Sequence, residues 1–223
     1  MPERSGDLAI VLHSHMPYVE GFGTYPFGEE WLFDAVIRSH LPVLEVARDL
    51  TMTVTPVLAD QLEAPGVAER LLAFLRDHRL GAARREVETA DADHQPAARS
   101  ALARYEKAEA LLARTGGEPL AAFRAARERG VCLIPSSATH AVLPLLATRP
   151  GLDVQISAGR ASHARRFGES AGFWLPECAY TPGLEEHLAR HGIEWFCVDQ
   201  SRHEPDQAAL TPVRTGAGPL AFP

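Results

Sequence analysis

The sequence points to an α/β fold, with a parallel sheet or barrel at its centre. Three observations lead there. Short apolar or β-branched runs recur along the chain, stretches of helical spacing separate them, and a polar residue follows nearly every run. Strands separated by helices form βαβ units, and these close as parallel sheets.

The elements are expected in the following order. Residues 7–12 are an apolar run of strand type, followed by a Gly- and aromatic-rich loop from His13 to Glu29. Residues 30–50 carry Trp31, Phe33, Val36, Ile37, Leu41, Leu44 and Val46 at helical spacing, with Pro42 expected to kink the helix. Residues 51–58 alternate β-branched and apolar side chains and read as a second strand. Residues 64–129 are rich in Ala, Arg, Glu and Leu and read as three or four helices inserted between strands, their charged faces turned to water. The strand rhythm then returns at 131–135, 171–175 and 193–198. Helices are expected at 139–147, 152–167 and 182–191, the last opened by Thr181 and Pro182 and closed by Gly192. The segment 212–223 reads as the beginning of further strands.

Composition narrows the function classes. The 223 residues are 46% hydrophobic, enough for a sizeable core, and the net charge of −7 argues against a nucleic-acid partner, which calls for clustered basic surface. Lys107 is the single lysine among 22 basic residues, a bias of composition more than of chemistry. Three cysteines, Cys132, Cys178 and Cys197, do not make a disulfide framework and fit a reducing, cytoplasmic setting. No apolar run has the length of a signal peptide or a membrane span, so no membrane partner is expected.

In a parallel α/β barrel the reactive residues stand where strands end. The polar residues after the five expected strands are His13 and His15, Asp60, Ser136 with Ser137 and His140, Glu177, and Asp199 with Gln200. His13 and His15 face one side of an extended segment, a spacing that suits a metal, a row of substrate hydroxyls or no joint role at all. Glu177 follows the wholly apolar Phe173-Trp174-Leu175-Pro176. A carboxylate there is expensive to bury without a partner, and it lies too far ahead of Pro182 to cap the next helix, so it reads as catalytic. Cys178 has no histidine close behind it and reads as packing. Tyr18, Phe22, Tyr25, Trp31, Trp174 and Tyr180 flank these motifs and suit a cleft for sugar rings.

Five stretches resemble glycoside hydrolase family 57, and within it the 1,4-α-glucan branching enzyme subgroup. They are Leu12-His13-Ser14-His15-Met16-Pro17-Tyr18, Ala138-Thr139-His140-Ala141-Val142-Leu143-Pro144-Leu145-Leu146, Gly172-Phe173-Trp174-Leu175-Pro176-Glu177-Cys178-Ala179-Tyr180, and, more loosely, Gly28-Glu29-Glu30-Trp31-Leu32-Phe33 and Phe196-Cys197-Val198-Asp199. The resemblance implies a distorted (β/α)7 barrel. The chain then reads, over 1–223, as the N-terminal portion of such a catalytic barrel, an incomplete (β/α)7-type barrel with a helical insertion at about 64–129. The later strands and the C-terminal helical domain would be absent. It also implies a retaining reaction on an α-1,4-glucan or maltooligosaccharide, with no cofactor and no metal, serving glycogen biosynthesis. Glu177 would be the nucleophile, and His13, His15, Trp31, His140, Trp174 and Asp199 would contact substrate. The acid/base, an Asp on a later strand in the family, has no counterpart in these motifs. Three rivals stand beside this reading. They are α-amylase or 4-α-glucanotransferase action within the family, a glucan-binding remnant without its acid, and a metal-dependent barrel hydrolase using His13 and His15.

Overall fold

The computed structural model describes residues 7–199 and 211–223; Gln200, one of the expected rim residues, lies outside them. The elements run β1 (Val11–Ser14), α1 (Glu29–Ala35), a π-helical turn (Val36–His40), α2 (Leu41–Val46), β2 (Thr51–Val54), α3 (Pro56–Leu62) and α4 (Val67–Phe74). A second π-helical segment (Leu75–Leu80) leads into α5 (Gly81–Thr89), and α6 (Gln95–Arg114) and α7 (Pro119–Glu128) follow. Then come β3 (Cys132–Ile134), a 3-10 turn (Leu143–Leu145), α8 (Arg149–Phe167), β4 (Gly172–Phe173), a 3-10 turn (Pro176–Cys178), α9 (Leu184–Arg190), β5 (Trp195–Cys197), β6 (Val213–Arg214) and β7 (Leu220–Phe222). The chain divides into two compact units, one formed by residues up to 15, 49–58 and 132 onward, the other by 16–48 and 59–131.

The first unit is mixed α/β. Strands β1, β2 and β3 pair in parallel in that order, with His13 opposite Thr53 and Thr53 opposite Ile134. A second sheet has the order β4-β5-β7-β6, parallel except for the antiparallel β6. One parallel bridge, Ser136 to Trp174, joins the end of β3 to the end of β4. There the Trp174 N–H donates to the Pro135 carbonyl at 2.8 Å and the Ser136 hydroxyl donates to the Trp174 carbonyl at 3.0 Å. Both sheets are open, and seven short strands take part among the described residues. Phe173, Leu175, Leu184, Leu188, Ile193 and Phe196 form a buried cluster with Leu143 and Ile156, so the turn after β4 is anchored from below by apolar packing. Helices α8 and α9 are tied by Asp153, which accepts from His187 Nδ1 at 2.8 Å and His191 Nε2 at 3.2 Å. The His187 bond, foremost among the causes, holds the Asp153 carboxyl down at about 2.

The second unit is helical. Leu32, Phe33, Leu71, Phe74, Leu75, Leu112 and Phe123 are buried in it. The buried Glu29 carboxylate is gripped by Arg70 through Nη2 at 2.6 Å and Nε at 2.9 Å, and the Thr24 hydroxyl donates to it at 3.1 Å. A buried carboxylate requires such a partner set. Gln61 is buried as well, accepting from the Val19 N–H at 2.7 Å and donating to the Pro17 carbonyl at 3.1 Å, which pins the aromatic-rich loop.

Several elements depart from the sequence expectation. The first strand is Val11–Ser14 rather than 7–12, so His13 lies within the strand instead of after it. The second strand stops at Val54, and Pro56, which fits the first turn of a helix, opens α3. At Pro42, where a kink is expected, the helical chain continues. The chain widens to a π turn just before it, with the Leu41 N–H reaching Val36 O, so the missing proline N–H is absorbed without a stop. No helix forms over 139–147, because His140 takes φ +57° and only the 3-10 turn at Leu143–Leu145 is regular. Helix α9 begins at Leu184 with Gly183, not Thr181, in the capping position. Gly183 has φ +95°, which glycine adopts without a Cβ penalty, and its N–H donates to Glu185 Oε2 at 2.8 Å.

Candidate active site

The site is built from the ends of β1, β2, β3 and β4. Successive strand residues alternate faces, so His13 and His15 emerge on one side, and Thr53 and Thr55, two residues apart on the neighbouring strand, meet them. His13 Nδ1 lies 2.6 Å from Thr53 Oγ1, and His15 Nδ1 lies 3.1 Å from Thr55 Oγ1. Both threonines are 0% exposed.

The turn after β3 delivers His140. Ser137 brackets it, its carbonyl accepting the His140 N–H at 3.2 Å and its hydroxyl donating to the Ala141 carbonyl at 3.2 Å. Helix α8 holds the same turn, with the Gln155 carbonyl accepting the Ala138 N–H at 3.0 Å and Gln155 Oε1 accepting the Thr139 N–H at 3.0 Å. Gly159 of α8 is what lets the two approach, since a Cβ there would stand 2.1 Å from the Ser136 carbonyl oxygen. Ser136 and Ser137, expected at the rim, are fully buried and hold this turn in shape.

The turn after β4 delivers Glu177 and Cys178 with φ of +57° and +53°. Left-handed backbone is disfavoured for residues with a Cβ, by roughly 1–2 kcal/mol each. Three of the four such residues among those described, His140, Glu177 and Cys178, therefore gather in these two turns, the other being Asp49.

The four rings stack. The His15 and His140 centroids are 3.9 Å apart, His140 and His13 5.0 Å, and His13 and Trp174 4.8 Å, all within 25° of parallel. His140 Nε2 lies 3.2 Å from Glu177 Oε1; the His140 side chain is 8% exposed and the Glu177 side chain 71%. A carboxylate accepts, so Nε2–H donates, and the buried His140 Nδ1 has no hydrogen-bond partner among the described residues. The Trp174 Nε1–H is in the same position. Desolvation comes first among the causes that lower His13 and His15 to about 4, followed for His13 by His140 and His15 and for His15 by His140. The Glu177 carboxylate opposes this in both.

The remaining expected residues divide. Asp199 reaches the neighbourhood of Glu177 through Cys178, its N–H donating to the Cys178 carbonyl at 3.4 Å. Burial, then Asp199, then Glu177 raise the Cys178 thiol, which removes thiolate character and agrees with a packing role. Asp60 sits in α3 rather than on a strand end. Trp31 lies on α1 of the helical unit and is 59% exposed. Thr53 and Thr55 were not singled out from sequence; their alternation in Thr51-Met52-Thr53-Val54-Thr55 is the only signal that marks them, and it reads equally as plain strand propensity.

Among the described residues no group of three or more His, Cys, Asp or Glu side chains is arranged to hold a metal ion, and no helix is long and apolar enough to cross a membrane. Residues 9–215 match the sequence model of glycosyl hydrolase family 57. The chain belongs to that family. This family 57 chain is 32% identical over 220 residues to a 1,4-α-glucan branching enzyme of Thermococcus kodakarensis, an alignment covering 87% of the chain and 32% of that enzyme. It superposes on the α-amylase AmyC of Thermotoga maritima with a TM-score of 0.86 and 28% identity, covering 96% of the chain and 44% of the amylase. It superposes on the family 57 branching enzyme of Pyrococcus horikoshii with a TM-score of 0.84 and 29% identity, covering 95% and 46%. The chain thus spans less than half the length of each of these relatives.

Proposed function

We propose that this chain is the N-terminal part of a retaining, α-glucan-active barrel enzyme, most simply a 1,4-α-glucan branching enzyme, with Glu177 as nucleophile. The observation that carries the reading is the Glu177 carboxylate, open to solvent and hydrogen-bonded by the buried His140 at the edge of a stack of three imidazoles and an indole. A hydrolytic carboxylate that attacks carbon requires an accessible oxygen and a fixed direction of approach. The left-handed turn at Glu177 and its bond to His140 supply that direction.

In the proposed reaction one Glu177 oxygen bonds to the anomeric carbon while the glycosidic C–O bond breaks, and the departing oxygen takes a proton from a general acid. The acceptor hydroxyl then forms its bond to the same carbon, its proton passes to the conjugate base, and the Glu177 carboxylate is released. The covalent stage keeps the cleaved glucan on the protein until a 6-hydroxyl arrives, which is what branching needs. The second carboxyl group that retention needs, about 5–5.5 Å from the first, is assigned to none of the residues above. His13, His15 and His140 are proposed to hydrogen-bond sugar hydroxyls, and Trp174 and Asp199 to complete the substrate contacts. The names of two of the relatives support branching. The α-amylase, which superposes as well as the branching enzyme does, supports hydrolysis as a second reading, in which water is the acceptor.

Glu177→Gln in the protein that carries this chain tests the proposal. Transfer from maltooligosaccharide falls on the order of 10⁴-fold or more, while glucan binding stays within a few-fold. Transfer at the wild-type rate would remove Glu177 from the role. Counting α-1,6 linkages in the product separates branching from hydrolysis.

A further inference from the structure

We infer that Thr53 and Thr55 lock His13 and His15 in one tautomer, the neutral form with the proton on Nε2, and so make both imidazoles hydrogen-bond donors toward whatever occupies the site. Thr53 Oγ1 already accepts the Ser14 backbone N–H at 3.1 Å, and Thr55 Oγ1 accepts the Leu58 N–H at 3.4 Å. A backbone N–H only donates, so in each case a hydroxyl lone pair is taken and the hydroxyl proton still needs an acceptor. Both side chains are wholly buried, so water does not supply one. The single remaining partner of each hydroxyl among the described residues is a ring nitrogen, Nδ1 of His13 at 2.6 Å and Nδ1 of His15 at 3.1 Å. Each threonine therefore donates to Nδ1, Nδ1 carries a lone pair, and the ring proton resides on Nε2.

The arrangement is the reverse of the usual support for a metal-binding histidine. There the far ring nitrogen donates its N–H to an acceptor, which leaves a lone pair free for the metal. Here the far nitrogen is occupied by a donor and the near one presents a hydrogen. The threonine pair thus favours an oxygen acceptor, such as a sugar hydroxyl or ring oxygen, over a divalent cation at His13 and His15. The groups that act electrostatically on these rings are His140 and Glu177, together with each other for His13, and burial with the neighbouring imidazoles keeps both rings neutral. The tautomer lock stands on the hydrogen bonds alone. Its use in holding glucan rests on the proposed function.

The test is long-range ¹H–¹⁵N spectroscopy of the histidine rings in the whole chain at neutral pH, without ligand. The expected spectrum gives His13 and His15 an unprotonated Nδ1 and a protonated Nε2. Thr53→Val, which keeps the shape and deletes the hydroxyl, mixes the tautomers of His13 alone; Thr55→Val does so for His15, and the matching Ser variants restore the wild-type pattern. A protonated Nδ1 on either ring in the wild-type chain overturns the inference, as does a Val variant that folds and leaves its histidine unmixed. Maltooligosaccharide binding is measured separately on the same samples. A locked tautomer with no glucan binding keeps the inference and sinks the proposed function, while glucan binding with free tautomers does the opposite.

Discussion

His140 donates from Nε2 to Glu177 Oε1 across 3.2 Å, and both residues hold a left-handed backbone with φ +57°. Neither is a glycine, so each turn must be held in place by its surroundings. At His140 the holders are Ser137 and Gln155, and at Glu177 they are Leu175 and the cluster beneath it. The bond between imidazole and carboxylate is therefore set by two strained turns, which the Ser136–Trp174 bridge ties to each other.

His140→Asn separates the strain from the chemistry. Asparagine adopts left-handed backbone more readily than histidine does and is too short to reach Glu177 in the same way. The midpoint of thermal unfolding is expected to stay the same or rise slightly. Glycosyl transfer is expected to fall by about 10- to 100-fold, the worth of a hydrogen bond to a charged group at roughly 1.4 kcal/mol per decade. A large drop in unfolding temperature with normal specific activity would contradict this division.

Acid is expected to destabilise the chain between pH 6.5 and 4. His13, His15 and the buried His40 are all lowered from 6.5 to about 4 in the folded state, burial being the foremost cause in each. In that window the unfolded chain binds more protons than the folded one, so stability rises with pH and is lost as pH falls. His40 lies on the π turn of the helical unit, 5.7 Å from the Phe123 ring, with no hydrogen-bond partner for Nε2 among the described residues. Urea unfolding measured at pH 7 and pH 5 should show the loss, and His40→Leu should reduce the slope with little effect at pH 7. An unchanged slope in that variant would assign the acid sensitivity elsewhere.

Gly159→Ala is expected to destabilise the α/β unit by about 1–3 kcal/mol, the range for forcing an added methyl group into a packed contact. The methyl would meet backbone, the Ser136 carbonyl, which has no flexible end to move aside. Because the same turn carries His140, activity should fall along with stability, unlike in His140→Asn. Equal denaturant midpoints for Gly159→Ala and wild type would show that α8 shifts freely.

Strand and helix order was legible over much of the chain, and it failed where local preference met a tertiary demand. Residues 139–147 read as a short helix, yet the turn stays irregular because His140 takes φ +57° and Ser137 and Gln155 hold it in that shape. Pro42 reads as a kink, and the helical chain passes it through a π turn, held by buried Leu41 and Leu44. His13 reads as a loop residue and lies in a strand because the pairing with β2 extends to Ser14 and Val54.

The amino-acid sequence by itself determined the family, the parallel α/β character and the set of motifs that hold His13, His15, His140 and Glu177, because apolar periodicity and short motifs are local properties of a chain. Only the tertiary structure decided which of those side chains touch. The histidine stack, the Glu177–His140 bond and the threonine hydroxyls behind His13 and His15 join residues about 40 positions or more apart, or 37 in the case of the bond to Glu177. Contacts of that span depend on strand register and on strained turns, and neither is written in the spacing of neighbouring residues.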